Sequence, residues 1–141
     1  MKAKEVWERC QTDDSLPKAD VVIAADTIVV HRDQVLEKPK DAQDAYRILS
    51  QLSNDTHLAL TAVHILAEDL HYKFVTTTSV TFDTLDEETI QEYINQGEPF
   101  DKAGAYGIQG PAALFISKVE GDYWNVVGLP QHPVYQHLVK L

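Results

Sequence analysis

The sequence predicts a single α/β or mixed α+β domain, on three observations. Helix-period and strand-period segments alternate along the chain, 141 residues amount to about one domain, and no repeat, low-complexity tract or linker divides them. Residues 2–11 carry Val6 and Trp7 on one side and charges on the other, a helical pattern. Residues 12–20 hold the turn chemistry Thr-Asp-Asp-Ser-Leu-Pro-Lys-Ala-Asp. Residues 21–30 are apolar and β-branched, apart from Ala24-Ala25-Asp26-Thr27. Such a run predicts a strand buried on both faces. His31-Arg32-Asp33-Gln34 is a polar turn, Val35-Leu36 resumes the strand pattern, and Lys38-Pro39 ends it, because proline cannot donate to a ladder.

Asp41, with Asp44 three residues later, predicts a capped helix start. Ala45, Ile48, Leu49 and Leu52 then share one face, and the helix should stop near Ser53-Asn54. Residues 57–67 and 71–82 read as two strands of a hairpin around Glu68-Asp69-Leu70. Asp86-Glu87-Glu88 places acid where a helix N-terminus favours it, and Gly97 should close that helix. A glycine-rich loop follows over 97–111. Residues 112–119 and 123–127 read as strands, and a last helix holds Val134, Leu138 and Leu141.

Composition narrows the function. The net charge is −10, from 22 acidic and 12 basic residues. A protein that grips a nucleic-acid backbone needs a basic face, so no nucleic-acid partner is expected. A small anionic substrate is not excluded, since a few local cations and a metal ion can hold it. No apolar run approaches the ~20 residues that cross a bilayer, so no membrane partner is expected. The first residues lead into no apolar stretch, which argues against a secretory signal. Cys10 is the only cysteine, so no internal disulfide forms, and a reducing, cytoplasmic setting is the expectation. Cys10 itself reads as a buried or partly buried structural thiol.

Asp26 stands out physically. A carboxylate after five apolar residues must be paired, hydrogen-bonded, metal-bound or at the rim of a cleft. A turn-capping role and a functional role both fit. Lys38, in Glu37-Lys38-Pro39 after a short strand, by itself reads first as a surface lysine. The loop 100–110 packs three glycines with Asp101, Lys102 and Gln109. Glycine lets a backbone approach a ligand, and a glutamine amide can both donate to and accept from a base edge. A merely mobile loop is the alternative. The loop has neither Walker A nor dinucleotide-fingerprint spacing. The six histidines have no zinc-like spacing and read as structural, and Trp7 and Trp124 as core or interface residues.

Five segments in order, Ala25-Asp26-Thr27, Glu37-Lys38-Pro39, residues 101–110 (Asp-Lys-Ala-Gly-Ala-Tyr-Gly-Ile-Gln-Gly), Gly121-Asp122-Tyr123 and Gly128-Leu129-Pro130, resemble the Maf family along essentially the whole chain. The resemblance implies a Maf/ITPase-like single domain over residues 1–141, with a twisted mixed sheet flanked by helices. It implies a nucleoside-triphosphate pyrophosphatase that uses a divalent metal, Mg²⁺ or Mn²⁺, and clears unwanted nucleotides. The loop version resembles the branch acting on dTTP and UTP. By the same resemblance Asp26 is the catalytic aspartate and a metal ligand, with Asp101 a second metal candidate. Thr27 and Gln109 are specificity positions, and Lys38, Lys2 and Lys102 hold phosphate. Asp26 is thereby expected beside the glycine loop, and a homodimer is what the family suggests. Family members open with a strand and a Ser-x-Ser-Pro-Arg-Arg turn that is absent here, so an open sheet edge is expected. Two rival readings are a nucleotide-binding protein with impaired catalysis and an interaction module acting through that edge.

Overall fold

The computed structural model describes residues 2–141. Five strands form one sheet in the order β2-β1-β3-β4-β5: β1 (Val22–His31), β2 (Gln34–Leu36), β3 (Thr56–Leu66), β4 (His71–Phe82) and β5 (Ile116–Glu120). Among the described residues five α-helices accompany them: α1 (Lys2–Thr12), α2 (Ala42–Leu52), α3 (Glu87–Asn95), α4 (Tyr123–Val127) and α5 (Gln131–Leu138). The α/β domain stands as expected, but its sheet is not mixed, because every strand pairing among the described residues is antiparallel.

The β1–β2 turn follows from its backbone. Arg32 and Asp33 both have positive φ, 50° and 64°, which suits the right-handed twist of a two-residue hairpin. Asp41 caps α2 by accepting from Asp44 N at 2.8 Å, and Asp86 caps α3 by accepting from Thr89 N at 2.8 Å. Gly97 ends α3 with φ 77°, where glycine has no Cβ penalty. The β3–β4 hairpin closes on Ala67 N donating to Leu70 O at 2.9 Å.

Register fixes the faces. Thr27 lies opposite Thr61, and Val29 opposite Ala59, so the odd residues of β1 and β3 share one face. That face packs against α2, α3 and the 3₁₀ turns through Val29, Ile48, Leu49, Leu52, Phe82 and Tyr93. α5 covers its far end through Val134 against Val63 and Ile65. The opposite face carries α1, whose Ala3 is buried. Much of that face is open: Ile28 and Leu58 are exposed, and Val75 is 60% exposed. Contrary to expectation, then, β1 is not buried on both faces.

Two segments read as strands are not strands there. Residues 123–127 form α4, because the Asp122 carboxylate accepts from Trp124 N and Asn125 N, at 2.9 and 3.3 Å, and nucleates a helical turn. Residues 111–115 form a 3₁₀ turn opened by Pro111, and only residues 116–120 join the sheet. Trp124 is exposed, which removes the core half of its core-or-interface expectation, whereas Cys10 is partly buried as expected.

Candidate functional site

A cavity of about 260 Å³ opens between β1 and the glycine-rich loop. Its floor is apolar, with Val29, Ala59, Tyr106 and Val126. Its polar rim holds Thr27, Lys38, Asp101, Lys102 and Gln109. Five of the residues singled out in the sequence therefore meet at one place, although they lie up to 82 positions apart, from Thr27 to Gln109. An apolar hollow with a few convergent polar groups is the usual form of a small-molecule site.

Specific contacts anchor the loop. Gly104 takes φ 72° and lies flat on Val29, where a Cβ would meet Val29 Cγ2 at 2.7 Å. Gly107 N donates to Tyr93 Oη at 3.1 Å. Tyr106 reaches beneath the loop to share a 2.6 Å hydrogen bond with His57 Nε2. His57 is buried against the edges of Phe82 and Tyr106, and its Nδ1 has no described partner. Burial pushes the His57 pKa down to about 4, so the ring is neutral near pH 7. Burial likewise raises the Tyr93 hydroxyl to about 12, which keeps its proton in place.

Lys102 lies over Gly107, where its Cε would be 2.5 Å from an added Cβ. Its ammonium contacts Asp101 Oδ1 at 2.8 Å and Glu98 Oε1 at 3.9 Å. The Lys102 hydrogen bond holds the Asp101 carboxyl below the usual carboxylate range, and the Lys38 charge acts in the same direction. Glu98 was not foreseen from sequence. It lines the same cavity, and its Oε1 would be 2.3 Å from a Cβ on Gly110. The only sequence cue was its place in Gly97-Glu98-Pro99, which reads as a turn.

Asp26 does not share this cavity. Adjacent residues of a strand point to opposite faces. With Thr27 on the loop side, Asp26 lies on the other, against Ala62 of β3. It is exposed and lines a second hollow of about 220 Å³ together with Lys2 and His64. The expected placement beside the loop is thus corrected, since one residue of strand parity separates the two. Asp26 and Lys2 thus line one hollow together. β1 also has a free margin. Only residues 29–31 pair with β2, so Val22–Ile28 bond to β3 on one side and to no described strand on the other.

Behind Thr27 runs a buried polar chain that sequence reading missed. Thr27 Oγ1 and Thr61 Oγ1 are 2.8 Å apart. Thr61 donates to Asn125 O at 3.0 Å. Asn125 Nδ2 donates to Ala59 O at 3.1 Å and to Thr78 Oγ1 at 2.9 Å. Thr78 and Asp122 exchange two bonds of 3.1 Å. Asn125 is 0% exposed, so the bonds of its Nδ2 and main-chain oxygen offset a desolvation cost of about 1–3 kcal/mol per polar group, while its Oδ1 has no described partner.

His64 and His71 stack at the hairpin mouth, Nδ1 to Nε2 3.4 Å. Among the described residues no three His, Cys, Asp or Glu side chains gather to hold a metal ion unaided, and no helix is long and apolar enough to cross a membrane.

Comparison with known proteins gives a consistent neighbourhood. A family model described as "Maf-like protein" matches residues 1–141. A protein of Geobacillus sp. (strain WCH70) named dTTP/UTP pyrophosphatase is 55% identical over 109 residues, 77% of this chain and 59% of its own. One of the same name from Carboxydothermus hydrogenoformans is 49% identical over 123 residues, 86% and 66% of the two chains. Another from Clostridium perfringens is 43% identical over 139 residues, 97% and 69%. The chain therefore spans about three fifths of the length of the Geobacillus relative, 59%.

Proposed function

The chain belongs to the Maf-like protein family, and from that membership and the cavity beside Thr27 we propose that it forms the base-binding and catalytic part of a nucleoside-triphosphate pyrophosphatase acting on dTTP and UTP. The observation that carries the proposal is the meeting of Thr27, Lys38, Lys102 and Gln109 around one apolar-floored hollow. A pyrimidine and its sugar suit the floor of Val29, Ala59, Tyr106 and Val126, and Gln109 offers an amide to the base edge. Lys38 and Lys102 supply positive charge where phosphates leave the hollow, favouring the extra charge that develops on the oxygens in the transition state.

Asp26 enters over the strand margin. Residues 22–28 of β1 bond to no described strand on one side, and we propose that a polyphosphate passes around that margin from the Thr27 face to the Asp26 face. There Asp26 orients the water that attacks the α-phosphorus and takes its proton, and Lys2, lining the same hollow, holds the phosphate. The bond to the β-phosphate bridging oxygen breaks, giving the monophosphate and pyrophosphate.

The residues also suit a divalent cation that arrives with the substrate. Asp101 and Glu98 oxygens already converge on one cation, the Lys102 ammonium. Mg²⁺ characteristically takes one or two carboxylates and completes its shell with phosphates and water. Asp101 would hold it on the loop side, whereas Asp26, on the opposite face of β1, lines a separate hollow. When bound, the cation supplies charge neutralisation on the triphosphate.

The test is pyrophosphate release from dTTP with Mg²⁺, beside calorimetric binding of a non-hydrolysable analogue. The proposal expects both from the parent and binding alone from Asp26→Asn. Equal turnover by Asp26→Asn removes the aspartate from the chemistry. Absence of analogue binding removes the nucleotide site.

A further inference from the structure

The hydrogen-bond chain behind Thr27 fixes which way its hydroxyl proton points. The Asn125 carbonyl oxygen can only accept. Thr61 Oγ1 lies 3.0 Å from it, carries one proton, and belongs to a residue that is fully buried, so no bulk water competes for it. That proton therefore goes to Asn125 O. Were it turned toward Thr27, two oxygens would face each other at 3.0 Å with no hydrogen between them. Thr27 Oγ1 sits 2.8 Å from Thr61 Oγ1, whose proton is already committed. A bond at that distance requires Thr27 to be the donor. The Thr27 hydroxyl then offers the cavity lone pairs and no proton.

From this we infer that Thr61 and Asn125 are positioning residues that make Thr27 a one-way acceptor, so that the cavity selects a ligand with an N–H or O–H donor at that point. Neither lines the cavity, so neither acts by touching the ligand. The device depends on α4. Asn125 is tied to the sheet by Ala59 O and Thr78 Oγ1, and its carbonyl also receives Gly128 N at 3.1 Å. Gly128 in turn faces Thr27, with an added Cβ 3.8 Å from Thr27 Oγ1. The helix thus presents a fixed acceptor to the strand.

This inference rests on the nucleotide reading of the cavity and adds its polarity. Two donors of a pyrimidine nucleotide fit. One is the imide N3–H of thymine or uracil, which cytosine lacks. The other is the sugar 3′-hydroxyl.

The experiment compares kcat/KM for dTTP, dCTP and 2′,3′-dideoxythymidine triphosphate in the parent, Thr61→Val and Thr61→Ser. Valine keeps the shape and removes the acceptor, so Thr27 is free to turn its proton into the cavity. Serine keeps the hydroxyl. Discrimination of dTTP against the analogue lacking the facing donor should contract about fivefold to tenfold in Thr61→Val, the worth of one uncharged hydrogen bond. It should return in Thr61→Ser. Contraction against dCTP assigns the donor to the base, and contraction against the dideoxy analogue assigns it to the sugar. Unchanged ratios in Thr61→Val overturn the inference, as does a contraction that serine fails to restore. Thr61→Ala supplies the same readout if the valine variant does not fold. If the parent neither binds nor turns over any of the three, the nucleotide reading fails first and takes this inference with it.

Discussion

Replacing Gly104 by alanine should destabilise the protein more than any other single-methyl addition to the loop. Two costs add. The backbone there has φ 72°, a left-handed conformation that costs an alanine about 1 kcal/mol. The new methyl would also stand 2.7 Å from Val29 Cγ2 and 2.9 Å from Val29 Cβ. Val29 is itself buried and cannot swing away, and overpacking of this kind costs about 1–3 kcal/mol. The sum is about 2–4 kcal/mol. Unfolding entropy of ~2.1 cal/mol/K per residue over 141 residues gives about 0.3 kcal/mol/K, so Tm should fall by about 7–13 °C. Circular dichroism melts measure it. Gly97→Ala is the internal control, because φ there is 77° but nothing lies within 4 Å of the added Cβ. It should lose only the backbone part, about 3–4 °C. Adding Val29→Ala to Gly104→Ala should recover part of the loss relative to Val29→Ala alone. Equal Tm shifts for the two glycine variants would refute the claim that Gly104 is required by contact with Val29.

Acid should weaken the fold through His57. Its folded pKa, about 4, lies below the ordinary 6.5, so the unfolded chain binds more protons between those values. Stability is therefore full above about pH 6.5 and declines as pH falls toward 4, by up to about 1.4 kcal/mol per unit. Urea unfolding at pH 7 and pH 5 should show the decline, and His57→Gln should flatten it. Tyr106→Phe strips the hydroxyl from His57 Nε2, and the buried nitrogen left behind should cost about 1–3 kcal/mol by the same measurement. Asp122→Ala removes the acceptor for two α4 amides and should cost about 0.5–2 kcal/mol. Because α4 carries the Asn125 carbonyl, the loss should also appear as weaker dTTP binding in calorimetry.

Local rules made much of the fold readable. Asp41 and Asp86 announced the starts of α2 and α3 because a capping carboxylate acts on amides two or three residues away. The hairpin of β3 and β4 followed from two apolar runs around a polar turn. Tyr123-Trp124-Asn125-Val126-Val127 misled because its composition favours a strand. One carboxylate before it made a helix, and only a helix aims Asn125 at the sheet. Asp26 misled in another way. Its carboxylate stood out in sequence, but the face it occupies was set by the β1–β3 register, a long-range fact. The rim residues Thr27, Lys38, Lys102 and Gln109 were legible through a resemblance, whereas Thr61, Glu98 and Asn125 announced nothing until the chain closed around them.

The two glycines under Lys102 and Glu98 have a consequence for capacity. The omitted methyl groups of Gly107 and Gly110 leave a recess that the protein fills with its own flexible arms. An anion that drew the Lys102 ammonium off Asp101 would vacate the part of that recess beside Gly107. On the proposed reading, the room beside Gly107 would then depend on where that one lysine lies, while the room beside Gly110 stays with Glu98.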